Sequence, residues 1–285
     1  MNQLLDDLIK VMTLERLEIN LFRGPSRDIG SPQVFGGQVL GQALTAASAT
    51  VDARVVHSLH AYFLRRGDFN SPIVYEVDRA LDGQHFSSRR VVAIQHGRQI
   101  FNMSASFQTA EAGLDHQISM PDVPPPESLL DLESHYRAVA EKLPAAARRM
   151  LEQKRPFEFR PVQPPDLLRR ETSAPLKYMW FRAVDTLTDD EALHRSLLAY
   201  VSDYHLLDTA LKPHGISRVS SQLMIASIDH AMWFHRSVRV DDWLLYAIDS
   251  PSSSGARGFT RGSVFARDGR LVASAAQEGL IRVTA

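Results

Sequence analysis

The chain has 285 residues, 44% of them hydrophobic, which is enough for one large core or two medium ones. Its net charge of −1 offers no field that would favour nucleic acid or an anionic membrane surface. With no cysteine there are no disulfides, no thiol nucleophile and no Cys-ligated zinc, and no apolar run approaches the roughly 20 residues of a membrane-spanning helix. The opening residues 1–10 are acidic and amphipathic, unlike a secretory or transit signal, and the final Val-Thr-Ala is not a peroxisomal address. A cytoplasmic protein is expected.

Leu4, Leu5, Leu8, Ile9 and Met12 share one face of a short opening helix. Residues 18–23 read as a strand that runs into a Gly/Pro turn. Residues 35–49 have almost no polar face, so they are expected to form a buried helix packed closely on something flat. Gly36 and Gly37 at its start leave the first backbone N–H groups open to a ligand; they equally suit close helix–sheet packing, and the two readings are compatible. Strand patterns follow. Residues 57–63 and 72–77 alternate, Asp82-Gly83 marks a turn, and 87–95 with 99–108 complete a meander about the tip His96-Gly97. One buried helix followed by a long antiparallel sheet is the hotdog arrangement, α+β in class.

Residues 113–175 carry ten of the 15 prolines around a charged stretch expected to be helical over 130–154. They read as a linker with a helix on the surface, without a core of its own. A second strand series opens at 177–183. Residues 200–211 read as the start of a second buried helix, 226–235 as an alternating strand, and 272–280 as a strand of small residues interrupted by one amide. This half repeats the first: Phe63, Tyr75 and Gly97 recur with nearly the same spacing as Phe234, Tyr246 and Gly269. The expected organisation is a hotdog unit over 1–112, the linker over 113–175 and a second hotdog unit over 176–285. In the repeat alignment Asp203 falls opposite Gly36, Ser227 opposite Val56, and Gln277 opposite Ala105 or Ser106. A structural requirement should appear in both copies. Polar side chains in the second copy alone point to a single site there, with the first copy degenerate.

At these residues the sequence resembles the acyl-CoA thioesterase II family, the TesB-type double-hotdog hydrolases. The resemblance runs over nearly the whole chain. It is carried by Phe35-Gly-Gly-Gln38 with Gln42-Ala43, by His57-Ser58 leading into Tyr62-Phe-Leu-Arg65 and Gly67-Asp68, by Ile228-Asp-His230 with Met232-Trp-Phe-His235, by Ala256-Arg-Gly-Phe259 and by Gln277-Glu-Gly279. It implies a catalytic trio of Asp203, Ser227 and Gln277, with Ser227 where some members have threonine, an acyl-CoA substrate, and further pairing into a homodimer or homotetramer. No cofactor is implied.

Hydrolysis of a thioester needs an activated water, a place for the oxyanion and a proton for the thiolate. Asp203, expected near a helix N-terminus, can take or fix the water's proton, and Ser227 and Gln277 can orient the same water. Gly36 and Gly37 are the candidate oxyanion donors. The blander alternatives are that Asp203 only caps a helix and Ser227 is an ordinary strand residue. His57, His60, His230 and His235 lack a compact zinc spacing, so no metal is expected; of these His57 is the best candidate for a substrate contact. Arg65, Arg66, Arg89, Arg90, Arg257 and Arg261 are candidates for the coenzyme phosphates, with Arg257 placed among the substrate-binding residues. A hotdog enoyl-CoA hydratase and a non-enzymatic acyl-CoA binding protein are the alternative functions.

Overall fold

The computed structural model describes residues 2–283 except 144, 146, 147, 149, 150, 166–170, 218, 221 and 222. Helix α1 (Gln3–Met12) starts where the Asn2 side chain accepts the Leu4 N–H, and it buries Leu5, Leu8, Val11 and Met12. The strand expected at 18–23 is a hairpin of β1 (Glu15–Glu18) and β2 (Leu21–Gly24), because the chain turns at Ile19-Asn20. Helix α2 (Gly36–Ser48) is followed by β3 (Val55–Phe63), β4 (Ile73–Asp82), β5 (Phe86–Gln95) and β6 (Arg98–Gln108). The β5–β6 tip places both His96 (φ 49°) and Gly97 (φ 69°) in the left-handed region, as a type I′ hairpin turn requires.

After helix α3 (Leu132–Val139) the second half runs β7 (Phe157–Pro161), β8 (Leu176–Ala183), helix α4 (Glu191–Ser202), β9 (Leu223–Ser227), β10 (Asp229–Phe234), β11 (Leu244–Ser254), β12 (Arg257–Ala266) and β13 (Leu271–Val283). Among the described residues the thirteen strands form one antiparallel sheet. Its order, β1-β2-β4-β5-β6-β3 and then β10-β13-β12-β11-β8-β7, is the same in each half read outward from the centre. The halves join where β3 pairs with β10, with His60 opposite Ala231.

The two buried helices pack antiparallel. A Cβ on Gly41 would stand 3.0 Å from the Ser196 carbonyl oxygen, and one on Gly37 would overlap that of Tyr200. Leu40, Leu44, Leu197 and Leu198 are wholly buried in the shared core, and truncating any one to alanine should cost about 2–5 kcal/mol. The absence of a polar face on α2 thus follows from sheet on one side and α4 on another. This is the double hotdog arrangement.

Residues 113–175 depart from the surface linker that was expected. Among the described residues a helix runs Leu132–Val139 with a 3-10 turn at Ala140–Lys142, and helical backbone recurs at Ala145, Arg148 and Leu151; part of the expected 130–154 helix lies outside the described residues. Leu132, Tyr136 and Leu151 join the main core, and β7 extends the sheet by pairing with β8. On a separate cluster, Met120, Val123 and Leu129 pack against Trp180, Trp243, Leu245 and Phe265, while the Trp180 indole donates to the Pro124 carbonyl at 2.9 Å. The prolines over 121–126 suit an extended strap, and the apolar residues beside them tie that strap down. Among the described residues no helix is long and apolar enough to cross a membrane.

Candidate active site

The reading of 200–211 as a helix start is corrected by the structure. The Asp190 carboxylate accepts from the Ala192 and Leu193 N–H groups and so starts α4 at Glu191, leaving Asp203 as the C-cap. His205, left-handed at φ 64°, then turns the chain away into a 3-10 segment at Leu207–His214. The apolar spacing around Tyr200, Leu207 and Leu211 therefore belongs to a helix end and its successor. In the first half the residue matching Asp203 is Ala49, the C-cap of α2, and not Gly36.

A carboxylate at the C-terminus of its own helix is disfavoured by the helix dipole. The antiparallel packing places this one at the N-terminus of the other helix. A Cβ on Gly36 would lie 2.8 Å from Asp203 Oδ2. Asp203 thus faces the end of α2 where the first N–H groups have no intrahelical acceptor.

The other carboxylate oxygen collects two side chains from the sheet. Gln277 Nε2, on β13, donates to Asp203 Oδ1 at 2.8 Å, and Ser227 Oγ, at the end of β9, donates to the same oxygen at a long 3.4 Å. Gln277 is 1% exposed, and its Oε1 has no partner among the described residues. Ser227 owes its place to a break in the strand expected over 226–235. Ile228 donates its N–H to the Glu278 carbonyl and accepts from the Phe63 N–H, so β9 pairs with β13 alone while β10 carries on beside β3.

The last turn of α4 is held from below. Ser202 Oγ lies 2.9 Å from His230 Nε2, and the Tyr246 hydroxyl donates to the Ser202 carbonyl at 3.1 Å. Burial pushes the His230 imidazole down to about 4, so it is neutral near pH 7. With Ser202 Oγ donating to the Ala199 carbonyl at 2.9 Å, the His230 Nε2–H is the donor to Ser202.

Cavities open on both sides of the trio. One is lined by Gly36, Phe63, Arg65, Arg66 and Ser227. The other has Phe35, Tyr204 and Asp203 on one wall and the strap residues Leu132, Tyr136 and Leu151 on another.

The remaining candidates separate. Gly37 packs on the Tyr200 carbonyl, so its lack of a side chain has a structural reason. His57 is not brought to the trio: its Nε2 meets Ser106 Oγ at 2.8 Å and its ring meets Phe86 edge-on. Burial, with the nearby Arg195 guanidinium, lowers its pKa. Arg257 is half-exposed and tied to Glu278 at 2.9 Å rather than to the site. Arg89 is fully buried on Asp82 and Thr50, Arg261 is paired with Asp249, and Arg90 stands exposed on β5. Only Arg65 and Arg66 of the six candidate arginines line a cavity beside the trio. Sequence reasoning missed Arg27, Arg155 and Tyr204, which line the second cavity; they come from a loop, the strap and a helix exit, where no periodicity marks them. Among the described residues no group of three His, Cys, Asp or Glu could hold a metal ion.

Known proteins agree with this architecture. The family model described as acyl-CoA thioesterase matches residues 147–280, and that of the acyl-CoA thioesterase N-terminal domain matches 22–108. The chain is 40% identical to acyl-CoA thioesterase 2 of Haemophilus influenzae over 283 residues, covering 99% of each chain. It is 43% identical to acyl-coenzyme A thioesterase 8 of Homo sapiens, covering 96% of this chain and 88% of that one. The crystal structure of an acyl-CoA thioesterase II, TesB2, from Mycobacterium marinum superposes with a TM-score of 0.80 at 41% identity, covering 98% of this chain and 99% of that one. The chain belongs to the acyl-CoA thioesterase family, enzymes that hydrolyse acyl-CoA thioesters.

Proposed function

We propose that the protein hydrolyses fatty acyl-CoA by direct attack of one water held by Asp203, Ser227 and Gln277. The observation that carries this reading is the convergence of Gln277 Nε2 and Ser227 Oγ on a single oxygen of Asp203, while its other oxygen faces the start of α2. The water oxygen attacks the thioester carbonyl carbon as Asp203 takes its proton. The oxyanion that forms meets backbone N–H groups at Gly36 and Gly37. The C–S bond then breaks, the proton passes to the thiolate, and the products are the fatty acid and coenzyme A. Ser227 acts as a positioning donor and not as a nucleophile, since its hydroxyl is paired with a carboxylate and, among the described residues, no imidazole is bonded to it.

A panel of acyl-CoAs with a thiol-trapping dye tests the reaction: free thiol is expected, and loss of enoyl absorbance without thiol would instead mean hydration. Rapid quenching during turnover followed by intact-mass measurement tests the mechanism. Unmodified chain is expected, and an acyl adduct on Ser227 would move the reaction to covalent catalysis.

A homodimer or homotetramer forms part of this proposal. It is supported by the outer face of the joining strands, where Tyr62 and Trp233 are exposed and His60 meets Trp233 edge-on. Light scattering that gave a monomer at micromolar concentration would remove it. A cytoplasmic location is proposed with it, and cell fractionation is its test.

A further inference from the structure

The cavity beside Asp203 and Tyr204 carries an imbalance of charge. Four cations line it: Arg27, Lys154, Arg155 and Lys177. Three carboxylates line it as well, and each is engaged elsewhere. Asp203 holds Gln277 and Ser227, Asp208 is paired with Lys177 at 3.3 Å, and Asp28 accepts the Gly30 N–H at 2.7 Å. Among the described residues Arg27 and Arg155 have no carboxylate partner, and Arg27 Nη1 is buried without any acceptor. Arg155 is held in place by aromatic rings: its guanidinium lies 5.8 Å from the centre of Tyr136 and 5.9 Å from that of Tyr204. Tyr204 in turn packs against Phe35 at 4.4 Å, directly before Gly36. A guanidinium held between rings, and a second with an unsatisfied buried donor, cost free energy unless an anion completes them.

We propose that Arg27 and Arg155 form an anion subsite in this cavity and that the substrate places a negatively charged oxygen group between them. This rests on the thioesterase reading above. A phosphate of the coenzyme A handle and a carboxylate at the far end of the acyl chain share the required chemistry. Lys154, exposed near the rim, adds charge without fixing geometry. Arg155 belongs to the strap and Arg27 to the loop after β2, so binding the anion also ties the strap to the first half.

The test compares wild type with the variant carrying both Arg27→Gln and Arg155→Gln on three substrates. These are an acyl-CoA, the N-acetylcysteamine thioester of the same acyl group, and the N-acetylcysteamine thioester of an ω-carboxylated acyl group. If the subsite takes a phosphate, kcat/KM falls further on acyl-CoA than on the uncharged thioester, by roughly 10- to 100-fold, the range for losing a charge-assisted hydrogen bond. If it takes the chain carboxylate, the excess loss falls on the ω-carboxylated thioester. Arg155→Lys should retain part of the discrimination, which separates charge from packing on the tyrosines. Equal losses on all three substrates, or no loss on any, would overturn the proposal. Calorimetric titration with inorganic pyrophosphate and with adipate keeps the test independent of turnover. One of these anions should bind wild type saturably and the double variant weakly, whereas no binding to wild type, or unchanged binding to the variant, defeats the subsite. A protein that binds the anion in this way but releases no thiol from any substrate would defeat the thioesterase reading instead.

Discussion

Asp203 Oδ2 occupies the space beside Gly36, 2.8 Å from where a side chain there would begin, so the carboxylate of one half seats against the helix N-terminus of the other. Gly36→Ala should push the carboxylate aside with little effect on the core, because the neighbouring atoms are the ends of the Asp203 and Phe63 side chains. A displacement of this size should lower kcat by about 10- to 100-fold, with a small change in Tm. Gly37→Ala should behave oppositely. Its methyl meets the Tyr200 backbone carbonyl, which cannot swing away, so stability should fall by about 1–3 kcal/mol. Steady-state kinetics and thermal unfolding of the two variants make the comparison. Full turnover in Gly36→Ala would show that the contact has no role in the reaction.

Within the trio the geometry predicts an order of effects. Asp203→Asn should reduce kcat by on the order of 10³-fold with folding nearly intact, since it removes the base. Gln277→Ala should cost more than Ser227→Ala, because its hydrogen bond to Asp203 is 2.8 Å long against 3.4 Å, and because burying Gln277 leaves a larger hole when the amide is removed. Their losses should be less than additive in the double variant, as all three groups serve one water. Wild-type turnover in Asp203→Asn would refute the assignment, and strictly additive losses would argue against a shared water.

Much of this was legible in the sequence, but not at the level of helix ends. Asp203, Ser227 and Gln277 stood out because the first copy lacks polar side chains at comparable places, and strand register makes the comparison sharper. In β3–β6 His60 pairs with Ser104, and in β10–β13 Ala231 pairs with Ala276, so Gln277 answers to Ala105 and not to Ser106. The helix alignment failed because gap placement cannot be read from apolar residues alone: Tyr200, Leu207 and Leu211 suit a helix start as well as a helix exit. What decides between them is the Asp190 cap, thirteen residues before Asp203 on a stretch with weak patterning. His57 and Arg257 stand apart from the trio for a different reason. Sequence places a residue on a strand but does not say where along the sheet, or on which face, the site lies: His57 meets Ser106, and Arg257 meets Glu278, the neighbour of Gln277 on the alternate face.

Acid should destabilise the protein through its buried histidines. Burial lowers both His205 and His230 to about 4, against an ordinary value of 6.5. Between these values the unfolded chain binds protons that the folded chain refuses, so stability rises with pH there. It is fully present above about 6.5 and is lost as the pH falls towards about 4. Asp82, held down to about 2 chiefly by the Arg89 guanidinium, acts in a lower window, between 3.8 and about 2. Thermal unfolding followed from pH 7 to pH 4.5 should show Tm falling throughout, with a shallower slope in His230→Gln, whose amide can still donate to Ser202. An equal slope in that variant would mean that His230 ionises without cost.

One productive site per chain is the final expectation, although the fold is present twice. The residues of the first half that answer to Asp203, Ser227 and Gln277 are Ala49, Val56 and Ala105, none of which can hold or activate a water. The matching place is also filled. Arg89 pairs across the sheet with Ala105 as Thr260 does with Gln277. Its guanidinium donates to Thr50 Oγ at 2.8 Å and to the Asp82 carboxylate at 2.6 Å, closing the space behind the end of α2. At the other end of the pseudo-site, α4 begins with Glu191 where α2 begins with Gly36, and Glu191 is bonded to the buried Arg195 at 2.6 Å. A substrate would therefore have to break two arginine networks to enter, leaving the buried Arg89 and Arg195 guanidinium groups without their carboxylates. Calorimetric titration with a non-hydrolysable acyl-CoA analogue should saturate at one ligand per chain, and Asp203→Asn should leave that stoichiometry unchanged while turnover collapses. Two equivalent ligands per chain would show that the first half binds substrate despite its arginines.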